Sequence, residues 1–251
     1  ARGLNTISAT GTNNIPDSAL FAVDTRGALT IQSGSSTPVL VGSVATGGSI
    51  TDVFVSGRYA YVLNFTLASL QAFDVSNPSK PVNVGSLQST TYFGSPNNIY
   101  VSGRYAYITS TSGFVIVDVS NPANMKIAGT LSGFSNLAKL KISGKYAYVV
   151  DTSNTKLYII DVSNPEAPVL TGSITTSNAP HAIDLSGRYA YLMESGSFQV
   201  IDISNPSVPV VASSLTLPTS AGSVFSVSVS GRYAYLSDRN MFRVVDISNP
   251  A

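Results

Sequence analysis

The chain has no cysteine and no tryptophan, and one histidine among 251 residues. Without cysteine there can be no disulfide, no thiolate metal site and no cysteine nucleophile, although the absence does not fix a redox compartment. With His181 as the sole histidine, a multi-histidine metal centre is excluded, and a Ser-His-Asp triad would depend on that one residue. Glutamate occurs only at 166 and 194, so a glycosidase-like carboxylate pair would have to draw on Asp52, Asp151, Asp184 or Asp238. Charged residues make up 11% of the chain and the formal net charge is +1, which leaves no basic field for nucleic acid or an anionic membrane surface. No apolar run approaches the roughly 18 residues of a membrane span, so membrane insertion is not expected. Ala1-Arg2-Gly3 lacks the charged-then-apolar layout of a signal peptide, and a mature or trimmed chain is the expectation. There is no EF-hand run, phosphate-binding glycine loop or nucleophile elbow, so neither a cofactor nor a metal nor a catalytic residue is assigned.

What the chain does have is repetition. Ser-Gly-Arg/Lys-Tyr-Ala-Tyr starts at Ser56, Ser102, Ser143, Ser186 and Ser230, and Asp-Val/Ile-Ser-Asn-Pro starts at Asp74, Asp118, Asp161, Asp202 and Asp246, at spacings of 41 to 46 residues. A sixth, degenerate copy appears when Asn13-Asn14-Ile15 is laid over Asn97-Asn98-Ile99, which brings Leu20-Phe21-Ala22-Val23 onto Arg104-Tyr105-Ala106-Tyr107. Within each copy the pattern has period two and is rich in β-branched and aromatic residues, the signature of strands. The second copy reads as strand A at 51–55, a Ser56-Gly57 hairpin, strand B at 58–63, strand C at 70–75 and strand D at 81–87. Gly57 supplies the positive φ of the hairpin, and Ser76-Asn77-Pro78 ends strand C because proline cannot donate to a ladder.

Four strands per repeat of this length describe a β-propeller blade. The expected fold is an all-β, six-bladed propeller in a single domain, with blades at about 13–48, 49–93, 94–136, 137–179, 180–222 and 223–251. The last copy stops at Asn249-Pro250-Ala251 with strand D missing, and Leu4 to Thr10, within residues 1–12, is the expected closing strand. The segments Phe114-Val115-Ile116-Val117-Asp118, Leu157-Tyr158-Ile159-Ile160-Asp161 and Phe242-Arg243-Val244-Val245-Asp246 resemble the LVIVD-repeat family of bacterial and archaeal surface proteins. That resemblance implies a propeller in an extracellular or cell-surface setting, with no family-wide catalytic residue to carry over.

The repeated charges, Arg58, Arg104, Lys145, Arg188 and Arg232 against the five aspartates, read as structural ion pairs and turn caps, and the Tyr-Ala-Tyr pairs as packing between blades. Aliphatic residues one and three before each hairpin serine read as core. The variable residues two and four before it either line the channel or face solvent; Asp52, Phe54, Asn98, Tyr100, Lys139, Lys141 and Asp184 are among them. His181 sits at the start of a strand A, near one channel mouth, and Asn64-Phe65-Thr66 is a glycosylation sequon expected in a loop between strands B and C. Two functions compete on these observations. One is a non-enzymatic scaffold or adhesion module that binds proteins or surface glycans, or its own copies through strand addition into a homopolymer. The other is an enzyme of sugar or lactone chemistry with an acidic channel site.

Overall fold

The computed structural model describes residues 20–23, 29–32, 39–218, 226–238 and 241–250. The chain divides into two compact units, Ala1–Ser43 and Val44–Ala251. In the first, β1 (Leu20–Val23) and β2 (Leu29–Gln32) pair antiparallel with Leu20 opposite Gln32. The expected closing strand and most of the degenerate first copy lie outside the described residues.

The second unit is all-β. Its strands are β3 (Ile50–Ser56), β4 (Tyr59–Asn64), β5 (Ser69–Asp74), β6 (Val82–Gln88), β7 (Pro96–Ser102), β8 (Tyr105–Ser110), β9 (Gly113–Asp118) and β10 (Lys126–Leu131). They continue as β11 (Leu137–Ser143), β12 (Tyr146–Asp151), β13 (Lys156–Asp161), β14 (Val169–Thr175), β15 (Pro180–Ser186), β16 (Tyr189–Glu194), β17 (Ser197–Asp202) and β18 (Val210–Thr216). The last three are β19 (Ser226–Ser230), β20 (Tyr233–Ser237) and β21 (Phe242–Asp246). They form four four-stranded antiparallel meanders, β3–β6, β7–β10, β11–β14 and β15–β18, and a three-stranded sheet, β19–β21. Among the described residues two single-turn helices occur as well, at Thr90–Phe93 and Pro122–Asn124. The sequence reading expected no helix, since one turn is too short to carry an amphipathic stripe. Here Ser89 caps the first turn and Phe93 is fully buried beneath it.

The hairpin lies one residue later than its sequence suggests. Ser56 pairs with Tyr59 in the ladder, so the two loop residues are Gly57 and Arg58, not Ser56 and Gly57. Gly57 has φ +59 and the same glycine recurs at +59, +57, +57 and +58 in Gly103, Gly144, Gly187 and Gly231, as a two-residue turn with glycine first requires. Because Tyr59 then sits opposite Asp74, the preceding Arg58 reaches the Asp74 carboxylate. The equivalent pair forms in each of the five sheets of this unit, with Lys145 Nζ 2.9 Å from Asp161 and Arg188 2.6 Å from Asp202. The other oxygen of each aspartate accepts the amide of the serine two residues on, as in Ser76 N at 2.9 Å. The Ser76 hydrogen bonds first, then Arg58, hold the Asp74 carboxyl at about 2. These exposed pairs and caps shape the turn and are screened by solvent as contributors to stability.

The core lies between successive sheets. Tyr61, Leu63 and Leu70 of one sheet pack with Ile99, Ile108 and Val117 of the next, and similar clusters join each later pair. The alanine between the paired tyrosines is fully buried at Ala106, Ala147, Ala190 and Ala234, where only a methyl fits against the neighbouring sheet. Fourth strands bulge just before a glycine and approach the next repeat's Asn-Pro turn there. A Cβ on Gly85, Gly129 or Gly172 would stand 2.1, 2.2 or 2.2 Å from the carbonyl oxygen of Pro122, Pro165 or Pro206.

Candidate functional site

Each first strand pairs with one neighbour only, so half of its backbone groups point away from its own ladder and need partners elsewhere. Side chains from the adjacent first strand supply some of them. Asp52 Oδ2 on β3 accepts the Ile99 amide of β7 at 2.9 Å and the Asn98 side-chain amide; Asn98 Oδ1 accepts the Leu140 amide of β11 at 2.9 Å. Between β15 and β19, Asp184 Oδ2 accepts the Val229 amide at 2.7 Å. Lysine has donors only, so Lys139, in the repeat position of Asn98, cannot make this bridge.

The five first strands together line a cavity of about 330 Å³. Residues four before each hairpin serine, Asp52, Asn98, Lys139, Ala182 and Ser226, all border it, as do Phe54, Tyr100 and Lys141 from the position two before. The Phe54 and Tyr100 rings touch, with centroids 5.0 Å apart. Asp184 is not among the lining residues; its carboxylate turns to the Val229 amide and to Lys141 Nζ at 3.0 Å. His181 also lies off the cavity, half-buried with Nε2 3.0 Å from Ser195 Oγ, and burial lowers its pKa. Among the described residues no group of three or more acidic or histidine side chains could hold a metal ion.

A second set of polar residues sits three places after the second tyrosine of each Tyr-Ala-Tyr: Asn64, Ser110, Asp151, Glu194 and Asp238. Sequence reading placed Asn64 in a loop as a glycan acceptor. It is instead the last residue of β4, fully buried, donating to the Thr46 carbonyl at 2.9 Å and accepting the Leu67 amide at 3.0 Å. A three-residue match carries no information on burial, and a glycan on this fully buried nitrogen would have to displace what packs around it, the Thr46 carbonyl included. Asp151 accepts four backbone amides, those of Ser135, Asn136, Ser153 and Asn154. The shared signal of these residues was their offset from the tyrosines, hidden because the residue type changes from copy to copy.

The repeat model described as LVIVD repeat matches residues 47–89, 93–132, 137–176, 181–216 and 221–251, which is most of the chain and each of the five sheets of the second unit. The chain belongs to the LVIVD repeat family. No curated protein matches it. Among solved structures, a Lactobacillus plantarum protein is similar at 14% identity and TM-score 0.72, over 92% of this chain and 74% of that one. A functionally unknown protein of Desulfotomaculum acetoxidans is similar at 14% and 0.70, over 87% and 71%. The periplasmic gluconolactonase of Pseudomonas aeruginosa is similar at 17% and 0.67, over 93% and 76%. Identities this low establish the fold alone, and this LVIVD-repeat chain is a β-propeller.

Of the two fully buried acids in this LVIVD-repeat chain's described residues, Asp151 and Glu194, Glu194 is the one whose charge is costly. Its Oε2 accepts the Asn178 amide at 3.1 Å and the Ser197 hydroxyl at 2.6 Å, but Oε1 is buried without a partner, as is Oε1 of Gln199 on the neighbouring strand. Burial raises the Glu194 pKa, so the fold favours the protonated acid. That contribution is complete below the unfolded value of about 4.3 and is lost as pH rises through the folded value. Glu194→Gln keeps the accepting oxygen and replaces the charged one by a donor, as the amide of Asn64 does at the same repeat position. The variant is expected to be more stable than the parent by about 1–2 kcal/mol at pH 7 and nearly equal to it at pH 4, measured by urea denaturation at both values.

Proposed function

We propose that this chain is a non-enzymatic scaffold of the cell surface or extracellular space, a six-bladed ring whose copies join by strand complementation into a filament or layer. The observation that carries this reading is the outer edge of the last sheet, which no strand among the described residues covers. Four sheets end in a fourth strand, whereas among the described residues nothing pairs with the outer side of β21, where Phe242 is 68% and Val244 52% exposed. An unpaired edge with apolar side chains is a template for an incoming strand. Within Leu4 to Thr10, the stretch Thr6 to Thr10 alternates polar and apolar residues, which suits such a strand, and on this reading the degenerate first copy supplies the sixth blade. Added to its own last sheet the segment closes one ring; added to a neighbour's it links two, and repeated head to tail it makes a fibre. Sparse charge, 11% of residues, suits side-by-side packing of such units.

The competing reading, sugar or lactone chemistry, needs an acid free to act in the cavity. Asp52 is held by the Ile99 amide and the Asn98 side chain, and Asp184 by Val229 and Lys141, which favours the scaffold. Electron microscopy of the natively isolated protein is expected to reveal ordered filaments or sheets, and removal of residues 1–12 to leave single rings. Discrete particles the size of one propeller from the intact protein would sink the assembly reading.

A further inference from the structure

Lys139 and Lys141 project two places apart from β11 into the lining of the central cavity, and their surroundings differ. Lys141 is neutralised by Asp184 at 3.0 Å, while among the described residues no acceptor contacts the ammonium of Lys139, which is exposed on the cavity side. All five repeat cations meet their aspartates and Arg243 meets Asp238, whereas Lys80, Lys126 and Lys156, which lie outside this lining, meet no carboxylate among the described residues. Of the two cations in this lining Lys139 is the one left without a partner among the described residues, and an anion would supply it. The remaining lining narrows the class. The touching Phe54 and Tyr100 rings, each half-buried and inclined at 54° to one another, offer apolar aromatic faces, either of which can stack against the C–H face of a sugar ring. Ser226 adds a hydroxyl, Asn98 keeps a second amide hydrogen beyond the one given to Asp52, and the Asn98 and Ile99 bonds to Asp52 both fall on Oδ2, which leaves Oδ1 to accept from a ligand hydroxyl. At about 330 Å³ the space lies at the small end of the usual range for ligand pockets, enough for one or two rings.

We infer that this cavity binds an acidic monosaccharide of the uronate class, with the carboxylate on Lys139, the ring against Phe54 and Tyr100, and hydroxyl groups on Asn98 and Ser226. The inference is independent of assembly, because its residues lie on the first strands and not on the edge of β21. Glucuronate, glucose and acetate titrated into the full chain, followed by isothermal calorimetry and by NMR shifts of aromatic protons, separate the contributions. Glucuronate is expected to bind saturably, with glucose, which lacks the carboxylate, and acetate, which lacks the ring, each about tenfold weaker or more. Lys139→Gln is expected to weaken glucuronate by about tenfold and leave glucose unchanged. Lys80→Gln, at an exposed turn outside the cavity, should have no effect on either. Lys139 is exposed, so its variant keeps the fold. Absence of saturable glucuronate binding, equal binding of acetate, or an affinity untouched in Lys139→Gln would each overturn the assignment.

Discussion

Gly172→Val is expected to destabilise the five-sheet unit by about 3 kcal/mol or more, read as a shift in the urea midpoint, with Gly172→Ala losing somewhat less. The reason is a backbone-to-backbone approach. An added Cβ would stand 2.2 Å from the Pro206 carbonyl oxygen and 3.1 Å from the Ser207 backbone, atoms that cannot rotate aside as a side chain would. Relief would need β14 to move away from the Asn205-Pro206 turn, which would strip the apolar contacts of Tyr148, Val150 and Ile159 with Ile183, Leu192 and Ile201. The chain itself contains a control. Ser213 occupies the same repeat position on β18, and its hydroxyl donates to the Pro250 carbonyl at 2.7 Å, so that junction is spaced to admit a side chain. Ser213→Gly should therefore cost only about 1 kcal/mol, the value of one hydrogen bond plus the freedom glycine gains when unfolded. Similar losses at 172 and 213 would mean that the junction is plastic and that the glycine is there for the bulge alone.

That contact also marks the limit of what the sequence discloses. Ser-Gly-Arg/Lys-Tyr-Ala-Tyr and Asp-Val/Ile-Ser-Asn-Pro recur at near-constant spacing, and period-two alternation between them places the strands to within a residue or two, because both signals are local. The hairpin was read one residue early because glycine announces a turn but the ladder, with Ser56 opposite Tyr59, decides which two residues are left over. Gly85, Gly129 and Gly172 could be suspected of close approach, yet the carbonyl each one meets belongs to the following repeat. At the cavity, period two puts Asp52, Phe54, Asn98, Tyr100, Lys139 and Lys141 on one side of their strands, and they do border one space. Asp184 has the same register, but its short side chain is drawn to the Val229 amide and to Lys141, a preference set by another strand. Asn64 was misplaced for a related reason: Asn-Phe-Thr reads identically whether the asparagine is in a loop or fully buried at a strand end.

At that buried strand-end position the same kind of substitution is expected to act in opposite directions in two successive sheets. Asp151 is fully buried, like Glu194, but neither of its oxygens is idle. Oδ1 accepts the amides of Asn136, Ser153 and Asn154 at 3.3, 3.0 and 2.9 Å. Oδ2 accepts the Ser135 amide at 3.1 Å and the Asn154 side-chain amide at 3.0 Å. One carboxylate thus ties the loop before β11 to the turn after β12. Asp151→Ala leaves several buried donors without partners and is expected to cost about 3–5 kcal/mol, with faster hydrogen exchange at Ser135, Asn136, Ser153 and Asn154. Asp151→Asn preserves one oxygen and sets an NH₂ against two donors, so it should still lose about 1–3 kcal/mol. Glu194→Gln, which removes a buried charge whose Oε1 meets no donor, should gain stability at neutral pH. If Asp151→Asn proves neutral or stabilising, the carboxylate is not what joins these two loops, and the difference between the two sheets must come from their surroundings and not from the count of donors each acid faces.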